Sequence, residues 1–319
     1  KMSWNRFESI GSELDKFEDY LYEVLESKQL LVKNAVSNLV QSGGKRIRPA
    51  LIITIAHLGD YKEEQAWNFA AVIEILHMAA LIHDDIIDES NLRRGSQTVQ
   101  SEYGKDTAVF TGDYLFSLSF NLLSDQANRE QLKRVTEVIN KVCEGEIQQH
   151  QNRYDYSISY KDYFYRIKRK TALLFENSCI LGSQTAGFKG EKVKRLAQYG
   201  RYLGMAFQLT DDLLDFQEDT AQLGKPATND LVNGIYTLPL LYIIKEKDDG
   251  GDLKKLLEKA EANRDEIREI VIKNGGLDYT LSIAKKYMAK ARRRLDDFPP
   301  SNYKNILLDL TEEILNRKL

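Results

Sequence analysis

Residues 64–88 read EQAWNFAAVIEILHMAALIHDDIID, and this stretch decides the class of fold. Apolar side chains fill residues 69–82 except at Glu74 and His77, and most of them are Ala, Ile and Leu. Such a run is too short and too polar to cross a membrane as a helix. We therefore predict a helix from about Glu64 to Asp88 that belongs to the interior of a folded protein.

The rest of the chain also favours helices. It contains five prolines, and none of them falls between residues 50 and 225. Because proline costs ~3 kcal/mol inside a helix, a long run without it suits stacked helices. Apolar residues recur at helical spacings, and alternating strand-like runs between turn dipeptides are missing. We predict further helices over 14–25, 51–57 (starting just after Pro49), 113–124, 128–150, 160–187, 190–218, 229–246, 252–273, 276–295 and 303–317.

Composition restricts the class of protein. The chain has 319 residues and no linker rich in Gly, Ser or Pro, so we predict one all-α domain over residues 1–319. With 45 Lys and Arg against 48 Asp and Glu, the net charge is −3, and nucleic acid is not an expected partner. Cys143 and Cys179 form neither a disulfide framework nor a zinc pattern. The N-terminal residues lack the apolar core of a signal peptide, so we expect a cytoplasmic protein.

One acidic pattern, Asp-Asp-x-x-Asp, occurs twice. The two copies consist of Asp84, Asp85 and Asp88, and of Asp211, Asp212 and Asp215. Carboxylates at positions i and i+4 share a helix face about 6 Å apart and repel each other. A single copy would most simply be a solvated helix end, but both copies follow apolar segments, which favours cation binding. Oxygen ligands suit Mg²⁺, Mn²⁺ or Ca²⁺, and Mg²⁺ typically binds through few carboxylates together with substrate phosphates.

Four segments contain basic residues that are candidates for binding anions, and they are 45–48, 93–94, 168–170 and Lys225. Arg holds anions through a planar fork, and Lys holds them through a compact charge. Each segment alone would be an ordinary surface patch. Together with the two acidic motifs they indicate two phosphate-bearing substrates, one held through Mg²⁺ and one held by Lys and Arg alone.

A series of short motifs resembles the trans-isoprenyl diphosphate synthases, which are polyprenyl synthases with the all-α isoprenoid fold. In chain order the motifs are GGKRIRP at 43–49, His77, HDDIIDESNLRRG at 83–95, GDYLF at 112–116, KTA at 170–172, FQLTDDLLDF at 207–216, GKP at 224–226 and TLP at 237–239. The resemblance extends over essentially the whole chain. It implies a single-domain helical bundle around a central cleft, and an enzyme that extends an allylic diphosphate with isopentenyl diphosphate.

The resemblance also implies a role for each matching residue. The residues that would bind about three Mg²⁺ ions on the allylic diphosphate are Asp84, Asp85, Asp88, Asp211 and Asp215. The residues that would also hold this diphosphate are Arg93, Lys170 and Lys225. The residues that would hold isopentenyl diphosphate are Lys45, Arg48, His77 and Arg94. Thr171 and Gln208 would face the reacting carbons.

These roles fit the chemistry of chain elongation. Mg²⁺ and cationic side chains stabilise the departing diphosphate as the allylic C–O bond ionises. The isopentenyl double bond attacks the allylic cation, which oxygen dipoles stabilise in a dry, apolar cleft. No nucleophilic Ser or Cys is needed. For His77 a plain buried histidine also stays open, whereas Glu74-x-x-His77 as a di-iron motif would need a second copy that the chain lacks.

Other functions are weaker matches to these motifs. A terpene cyclase of the same fold usually lacks the second Asp motif, a regulatory subunit usually loses one of the two, and a helical scaffold needs neither. Ile235 departs from the family pattern, because a lysine often stands there before Thr-Leu-Pro. This variation resembles the catalytic component of two-component heptaprenyl diphosphate synthases. It implies a heterodimer with a small regulatory component, and a homodimer is the alternative.

Small residues one turn before the first acidic motif bear on product length. Ala79 and Ala80 precede Asp84 and would leave the mouth of a product tunnel open. We predict a long-chain product, heptaprenyl diphosphate for a quinone side chain, over a farnesyl or geranylgeranyl product. The tunnel floor would be Phe116 or Phe120. Peripheral membrane contact during product release is a further expectation.

Overall fold

The computed structural model describes residues 4, 8–41, 44–93, 95–217, 228–247 and 251–316. Helices dominate these ranges, and the prediction of an all-α fold is confirmed. In chain order the α-helices are α1 Glu8–Val24, α2 Leu30–Gln41, α3 Ile47–Ala56, α4 Glu63–Ile87, α5 Val99–Tyr103, α6 Lys105–Gln126, α7 Arg129–Gln151, α8 Tyr160–Ile167, α9 Leu173–Thr185, α10 Glu191–Gln217, α11 Asn229–Val232, α12 Leu238–Glu246, α13 Asp252–Leu257, α14 Arg264–Lys273, α15 Gly276–Arg292 and α16 Asn302–Leu315.

A small β-hairpin lies within the described residues, and the sequence analysis did not predict it. Strands β1 (Leu92–Arg93) and β2 (Ser96–Gln97) pair antiparallel, and Gly95 adopts a left-handed φ of 83° at the turn. Strands of two residues are too short to show alternation, so no periodicity could have revealed them.

Helix α3 begins earlier than predicted. It starts at Ile47, so that Pro49 is its third residue rather than the residue before it. The N–H groups of the first turn have no partner within a helix, and proline is tolerated there because the N–H that it lacks is not needed. Every residue from Pro49 to Ala56 is buried, which makes α3 a core helix.

Helix α4 is buried on most of its circumference and runs antiparallel to α6. Near its start, the Asn68 amide donates to the carbonyl of Leu122 at 3.1 Å, and near its end the ring of His83 lies 5.6 Å from that of Phe116. The predicted helix over 64–88 is thus confirmed to within a residue at each end. Across the ranges described, no helix combines the length and the apolar character needed to cross a membrane.

Contacts divide the chain into two compact units. The first comprises Lys1–Thr136, Asn177–Ala197 and Asp297–Leu307, and the second comprises Glu137–Glu176, Gln198–Asp296 and Leu308–Leu319. The first acidic motif lies in the first unit, and the second motif lies in the second unit. The prediction of one domain over residues 1–319 stays a prediction.

The second unit has its own apolar core. Buried side chains from α8, α10, α12 and α15 meet there, among them Tyr163, Leu209, Phe216, Leu241 and Ala284. Packing in this core holds in place the helices that carry Tyr163 and the second acidic motif.

Three predicted helices are interrupted in the structure. The run over 160–187 contains a π-helical segment at Lys168–Ala172, and the run over 229–246 breaks where Gly234 adopts a left-handed φ of 72°. The run over 252–273 stops at Leu257 and resumes at Arg264, where the Asn263 amide donates to the carbonyl of Leu256 at 2.9 Å. Gly234 was a visible signal of its break, whereas the break after Leu257 depends on this side-chain contact.

Candidate active site

The first acidic motif lies at the C-terminal end of α4. Asp88 follows the last helical residue, and its N–H donates to the carbonyl of Asp84 at 2.9 Å. Glu89 then adopts a left-handed φ of 49°, which ends the helix. Asp84 and Asp88 are therefore one turn apart, and both are half-buried. Because a helix C-terminus carries partial negative charge, two carboxylates there favour a bound cation.

Asp85 has a different environment from its two neighbours in the motif. It is 4% exposed, and its carboxylate accepts hydrogen bonds from Arg93, at 2.9 Å from Nε and 2.8 Å from Nη2. The Gln100 amide donates to the Asp85 carbonyl at 2.8 Å. Asp85 thus holds the Arg93 guanidinium in a bidentate pair, and the assignment of Asp85 to Mg²⁺ stays a prediction. Arg94 lies outside the described residues.

The GDYLF segment packs against this end of α4. A Cβ atom on Gly112 would lie 2.3 Å from Nε2 of His83, so glycine allows α6 to approach α4 here. His83 Nε2 also lies 3.5 Å from Asp113 Oδ1, which gives His83 a structural role between the two helices. Of the two candidates for the tunnel floor, Phe116 is half-buried beside His83, whereas Phe120 is 36% exposed.

Arg46 has a structural role that the sequence analysis did not foresee. Its backbone is left-handed, with a φ of 46°, and its guanidinium donates to Glu18 at 2.8 and 2.6 Å and to Glu74 at 2.8 Å. Burial alone would lower the pKa of Arg46, but the hydrogen bond with Glu18 and the charge of Glu74 outweigh it, so the pKa rises. Glu74 is 4% exposed and committed to this pair, which removes it as a metal ligand beside His77.

The residues predicted to hold isopentenyl diphosphate flank Arg46 in sequence or lie on α4. Lys45, Arg48 and His77 are all half-buried and belong to the first unit. The carbonyl of Lys45 accepts a hydrogen bond from the Trp4 indole at 2.8 Å, which ties down the backbone of the basic segment. Their assignment to this substrate stays a prediction.

Lys170 lies in the π-helical segment Lys168–Ala172. π-Helical turns inside α-helices occur frequently at functional sites. The Lys170 ammonium lies 2.7 Å from Glu146 Oε2 on α7, and Arg169 pairs with Glu144 on the same helix. A diphosphate that binds Lys170 would therefore have to compete with the carboxylate of Glu146.

Thr171 and Gln208 are brought together by the packing of the π-helical segment on α10. The Thr171 hydroxyl donates to Gln208 Oε1 at 2.6 Å, although 37 residues separate them in sequence. A Cβ atom on Gly204 would lie 2.7 Å from the Cα of Ala172, so glycine is needed for this close approach. The structure thus joins the two residues that were predicted to face the reacting carbons.

The second acidic motif contains two carboxyl groups with perturbed pKa values. Burial raises the pKa of Asp212 to about 6, and hydrogen bonds from Tyr163 and Gln208 oppose the rise. Burial, together with the charges of Asp230 and Asp212, holds the pKa of Asp215 well above its usual range. Asp215 Oδ2 is buried and makes no hydrogen bond within the described part of the chain. A cation beside this oxygen would offset the cost of burying the Asp215 charge and its repulsion from Asp230 and Asp212.

Magnesium fits this set of donors. Within the ranges that the structure describes, no group of three or more His, Cys, Asp or Glu side chains could hold a metal ion by itself. Mg²⁺ keeps water and substrate phosphate oxygens in its coordination shell and needs only one or two protein carboxylates. Asp84 with Asp88 in the first unit, and Asp211 with Asp215 in the second, offer such partial sets.

Two predicted features of the second unit have different outcomes. Lys225 and the GKP motif lie outside the described residues. Ile235 is described and is buried, with 9% of its surface exposed. The carbonyl of its neighbour Tyr236 accepts a hydrogen bond from the Arg166 guanidinium at 2.8 Å. An apolar side chain thus fits the place where the family often has a lysine.

Two Asp-Asp-x-x-Asp motifs on the helices of an all-α fold offer carboxylates of the kind that hold Mg²⁺ together with substrate phosphates, which indicates an enzyme that acts on phosphorylated substrates. Residues 29–273 match the family model described as polyprenyl synthetase. The chain therefore belongs to the polyprenyl synthetase family of trans-prenyl diphosphate synthases.

The chain is similar to relatives with different named products. It is 35% identical to heptaprenyl diphosphate synthase component 2 of Geobacillus stearothermophilus, over 94% of each chain. It resembles the crystal structure of geranylgeranyl pyrophosphate synthase from Lactobacillus brevis with a TM-score of 0.91 and 31% identity, over 98% of this chain and 99% of that one. A polyprenyl synthase from Caulobacter crescentus, crystallised with calcium and isoprenyl diphosphate, matches with a TM-score of 0.93 and 31% identity, over 100% and 99% of the two chains.

Proposed function

We propose that the chain is a Mg²⁺-dependent prenyltransferase that condenses isopentenyl diphosphate with allylic diphosphates to all-trans heptaprenyl diphosphate. The observation that carries the proposal is the environment of the second acidic motif. Asp215 presents a buried carboxylate oxygen that makes no hydrogen bond to any residue the structure describes, and on the same helix Gln208 pairs with Thr171. Asp215 thus offers a place for a cation, and Thr171 and Gln208 offer oxygen dipoles. Prenyl transfer on such a site requires no nucleophilic side chain.

Each side chain of the proposed site has a separate task. Bound Mg²⁺ supplies positive charge that stabilises the departing diphosphate. As the resemblance implies, Asp84 and Asp88 of the first unit would bind Mg²⁺, and so would Asp211 and Asp215 of the second unit. Arg93, which Asp85 orients, and Lys170 would bind diphosphate oxygens directly, as the resemblance implies. Thr171 and Gln208 would direct oxygen lone pairs at the allylic carbon while positive charge develops there.

The test is turnover of labelled isopentenyl diphosphate with farnesyl diphosphate as primer. The purified chain is assayed alone and with small partner proteins, with Mg²⁺ and with excess chelator, and products are separated by chromatography. We expect Mg²⁺-dependent formation of a heptaprenyl product. Absence of turnover under every condition would contradict the proposal, and a shorter product would contradict only its chain length.

A second subunit is part of the proposal. The Geobacillus relative is named as component 2 of its synthase, which supports a partner for this chain. We propose a heterodimer with a small regulatory component, with a homodimer as the alternative. Cytoplasmic location and peripheral membrane contact during product release stay predictions.

Substitutions of basic residues should separate the two substrates. Lys45→Ala and Arg48→Ala should raise KM mainly for isopentenyl diphosphate, and Lys225→Ala should raise it mainly for the allylic substrate. A contact made equally in the ground state and the transition state changes KM rather than kcat. Steady-state kinetics with each substrate varied in turn provides the measurement. If all three variants raised KM for the same substrate, the assignment of two separate diphosphate sites would be wrong.

Product length provides a further prediction, for which the structure distinguishes two neighbouring alanines. Ala79 is fully buried, whereas Ala80 is half-buried. We expect Ala80→Phe to shorten the product to a farnesyl or geranylgeranyl length while the first condensation continues. Ala79→Tyr should instead lower the free energy of unfolding by at least about 1–3 kcal/mol, because it overpacks a closed core.

The control for Ala80→Phe is Ala80→Ser, which keeps the small volume at this position. Product chromatography should show an unchanged chain length for this control. An unchanged chain length in Ala80→Phe as well, with normal folding, would place the tunnel elsewhere.

A further inference from the structure

Four side chains in the second unit form one line of hydrogen bonds. The Tyr163 hydroxyl donates to Asp212 Oδ2 at 2.5 Å, and Gln208 Nε2 donates to Asp212 Oδ1 at 2.9 Å. The Thr171 hydroxyl donates to Gln208 Oε1 at 2.6 Å. The line therefore begins at a buried tyrosine and ends at the threonine predicted to face the reacting carbons.

The direction of each bond in this line follows from the chemistry of Asp212. A carboxylate only accepts hydrogen bonds, so the amide group of Gln208 that faces Asp212 must be its NH₂. Gln208 Oε1 must then point towards Thr171, where it accepts the single proton of the hydroxyl. The lone pairs of Thr171 Oγ1 are left to face other groups. One carboxylate thus sets the polarity of two further side chains.

Burial makes this polarity hard to change. Tyr163 is 0% exposed, Asp212 is 2% exposed and Thr171 is 6% exposed, so water cannot readily replace a member of the line. Gln208 is half-buried. A hydrogen bond in such surroundings is stronger than in water, and a lost partner is costly to replace.

The π-helical segment brings Tyr163 and Thr171 onto one face. Eight residues separate them, which in a regular α-helix would turn Thr171 about 80° away from Tyr163. The π turn at Lys168–Ala172 takes up one extra residue, so the two side chains are placed as they would be seven residues apart, about 20° from alignment. Both therefore face α10, where Asp212 and Gln208 lie one turn apart.

We propose that Tyr163 and Asp212 are positioning residues that fix the direction of the Gln208 amide and, through it, the lone pairs of Thr171. The inference rests on the proposed function, because it assigns Thr171 and Gln208 to the allylic cation. Tyr163 and Asp212 take no part in bond making, and no proton or electron moves along the line. Asp212 then orients Gln208 and does not bind Mg²⁺, although it belongs to an Asp-Asp-x-x-Asp motif.

The decisive substitution is Asp212→Asn, which changes polarity with little change in shape. An amide at this position can either accept from Gln208 through its oxygen or donate to it through its NH₂, so position 212 no longer fixes which end of the Gln208 amide faces Thr171. We expect kcat to fall about 100-fold, as for loss of one preorganised dipole. KM for both substrates and the half-saturating Mg²⁺ concentration should stay within about twofold.

Tyr163→Phe removes one oxygen atom and should lower kcat about tenfold, the effect of one hydrogen bond. Tyr160→Phe is the matched control, because Tyr160 lies on the same helix and donates to Glu246 at 3.3 Å on an exposed site. This control should leave kcat unchanged. Circular dichroism and thermal unfolding establish that each variant is folded.

A double-mutant cycle shows whether the effect passes through Thr171. In a Thr171→Val background, Tyr163→Phe should lower kcat clearly less than it does in the unmutated chain, because one of the two oxygen atoms that it helps to orient is gone. Additive effects would mean a general structural role for Tyr163 and would overturn the inference. If Asp212→Asn does not fold, this cycle decides alone.

Two other outcomes have separate meanings. A several-fold rise in the half-saturating Mg²⁺ concentration of Asp212→Asn would make Asp212 a metal ligand and overturn the positioning role. Absence of prenyl transfer by the unmutated chain, alone and with a partner, would overturn the proposed function and this inference together. Normal turnover of the unmutated chain, together with additive effects of Tyr163→Phe and Thr171→Val on kcat, would overturn the inference alone.

Discussion

Asp84→Asn and Asp211→Asn should each lower kcat by several orders of magnitude while the helical circular dichroism signal stays the same. The expected loss exceeds the ~3–4 kcal/mol of a single oxyanion-hole donor, because a metal ligand supports more charge than one hydrogen bond does. The measurement is single-turnover and steady-state kinetics at saturating substrate with Mg²⁺ varied. Higher Mg²⁺ should restore part of the activity if the ligand is weakened rather than lost.

Matched controls for these variants are available in each unit. Asp106 and Asp278 are exposed aspartates in the first turns of α6 and α15, and their Asn variants should keep full activity. Near-normal turnover in both Asp84→Asn and Asp211→Asn would remove the basis for assigning the two motifs to metal binding. Loss of activity in only one of them would limit the metal site to that motif.

The second large effect should be on stability rather than on chemistry. Glu74→Ala removes one of two carboxylates from the Arg46 guanidinium, whose side chain is only 10% exposed. Arg46 keeps both hydrogen bonds with Glu18, so the cost is below the about 3–5 kcal/mol of a buried charge that is left with no partner. We expect the free energy of unfolding in urea to fall by about 1–3 kcal/mol, the cost of one buried donor without its partner. Glu74→Gln, which can still accept a hydrogen bond, should lose less.

The control for the Arg46 pair is Glu64→Ala, on the same helix. Glu64 is exposed and accepts a hydrogen bond from Gln126 at 2.9 Å, so its removal should change stability by less than about 1 kcal/mol. Equal stability of Glu74→Ala and Glu64→Ala would show that the Arg46 pairs do not stabilise the fold. We also expect Glu74→Ala to raise KM for isopentenyl diphosphate, because Arg46 fixes the backbone between Lys45 and Arg48.

Helices with a strong periodic pattern were predictable from local sequence. The helix predicted over 64–88 is observed as Glu63–Ile87, because its apolar residues and the acidic end are all local signals. The break after Leu257 was not predictable, because the residues that follow, Glu258 to Ala262, are mostly good helix formers. The Asn263 contact with the Leu256 carbonyl, and the burial of Ala260, compete with helix continuation there.

The candidate site shows the same division between local and tertiary information. Asp84 and Asp88 were predictable as a pair because four residues of helix bring them to one face. The basic segment before α3 was predictable as a group of cations, but not the inward direction of Arg46. That direction depends on Glu18 and Glu74, each 28 residues away in sequence.

The sequence by itself determined the helical class, the two acidic motifs and the family, because each is encoded in residues a few positions apart or in short motifs. Only the tertiary structure decided that Asp85 binds Arg93, that Arg46 is buried between two glutamates, and that Tyr163, Asp212, Gln208 and Thr171 form one line. Those contacts join side chains as far as 49 residues apart. Their partners are selected by the packing of one helix on another, and no spacing along the chain specifies which side chains that packing brings within hydrogen-bond distance.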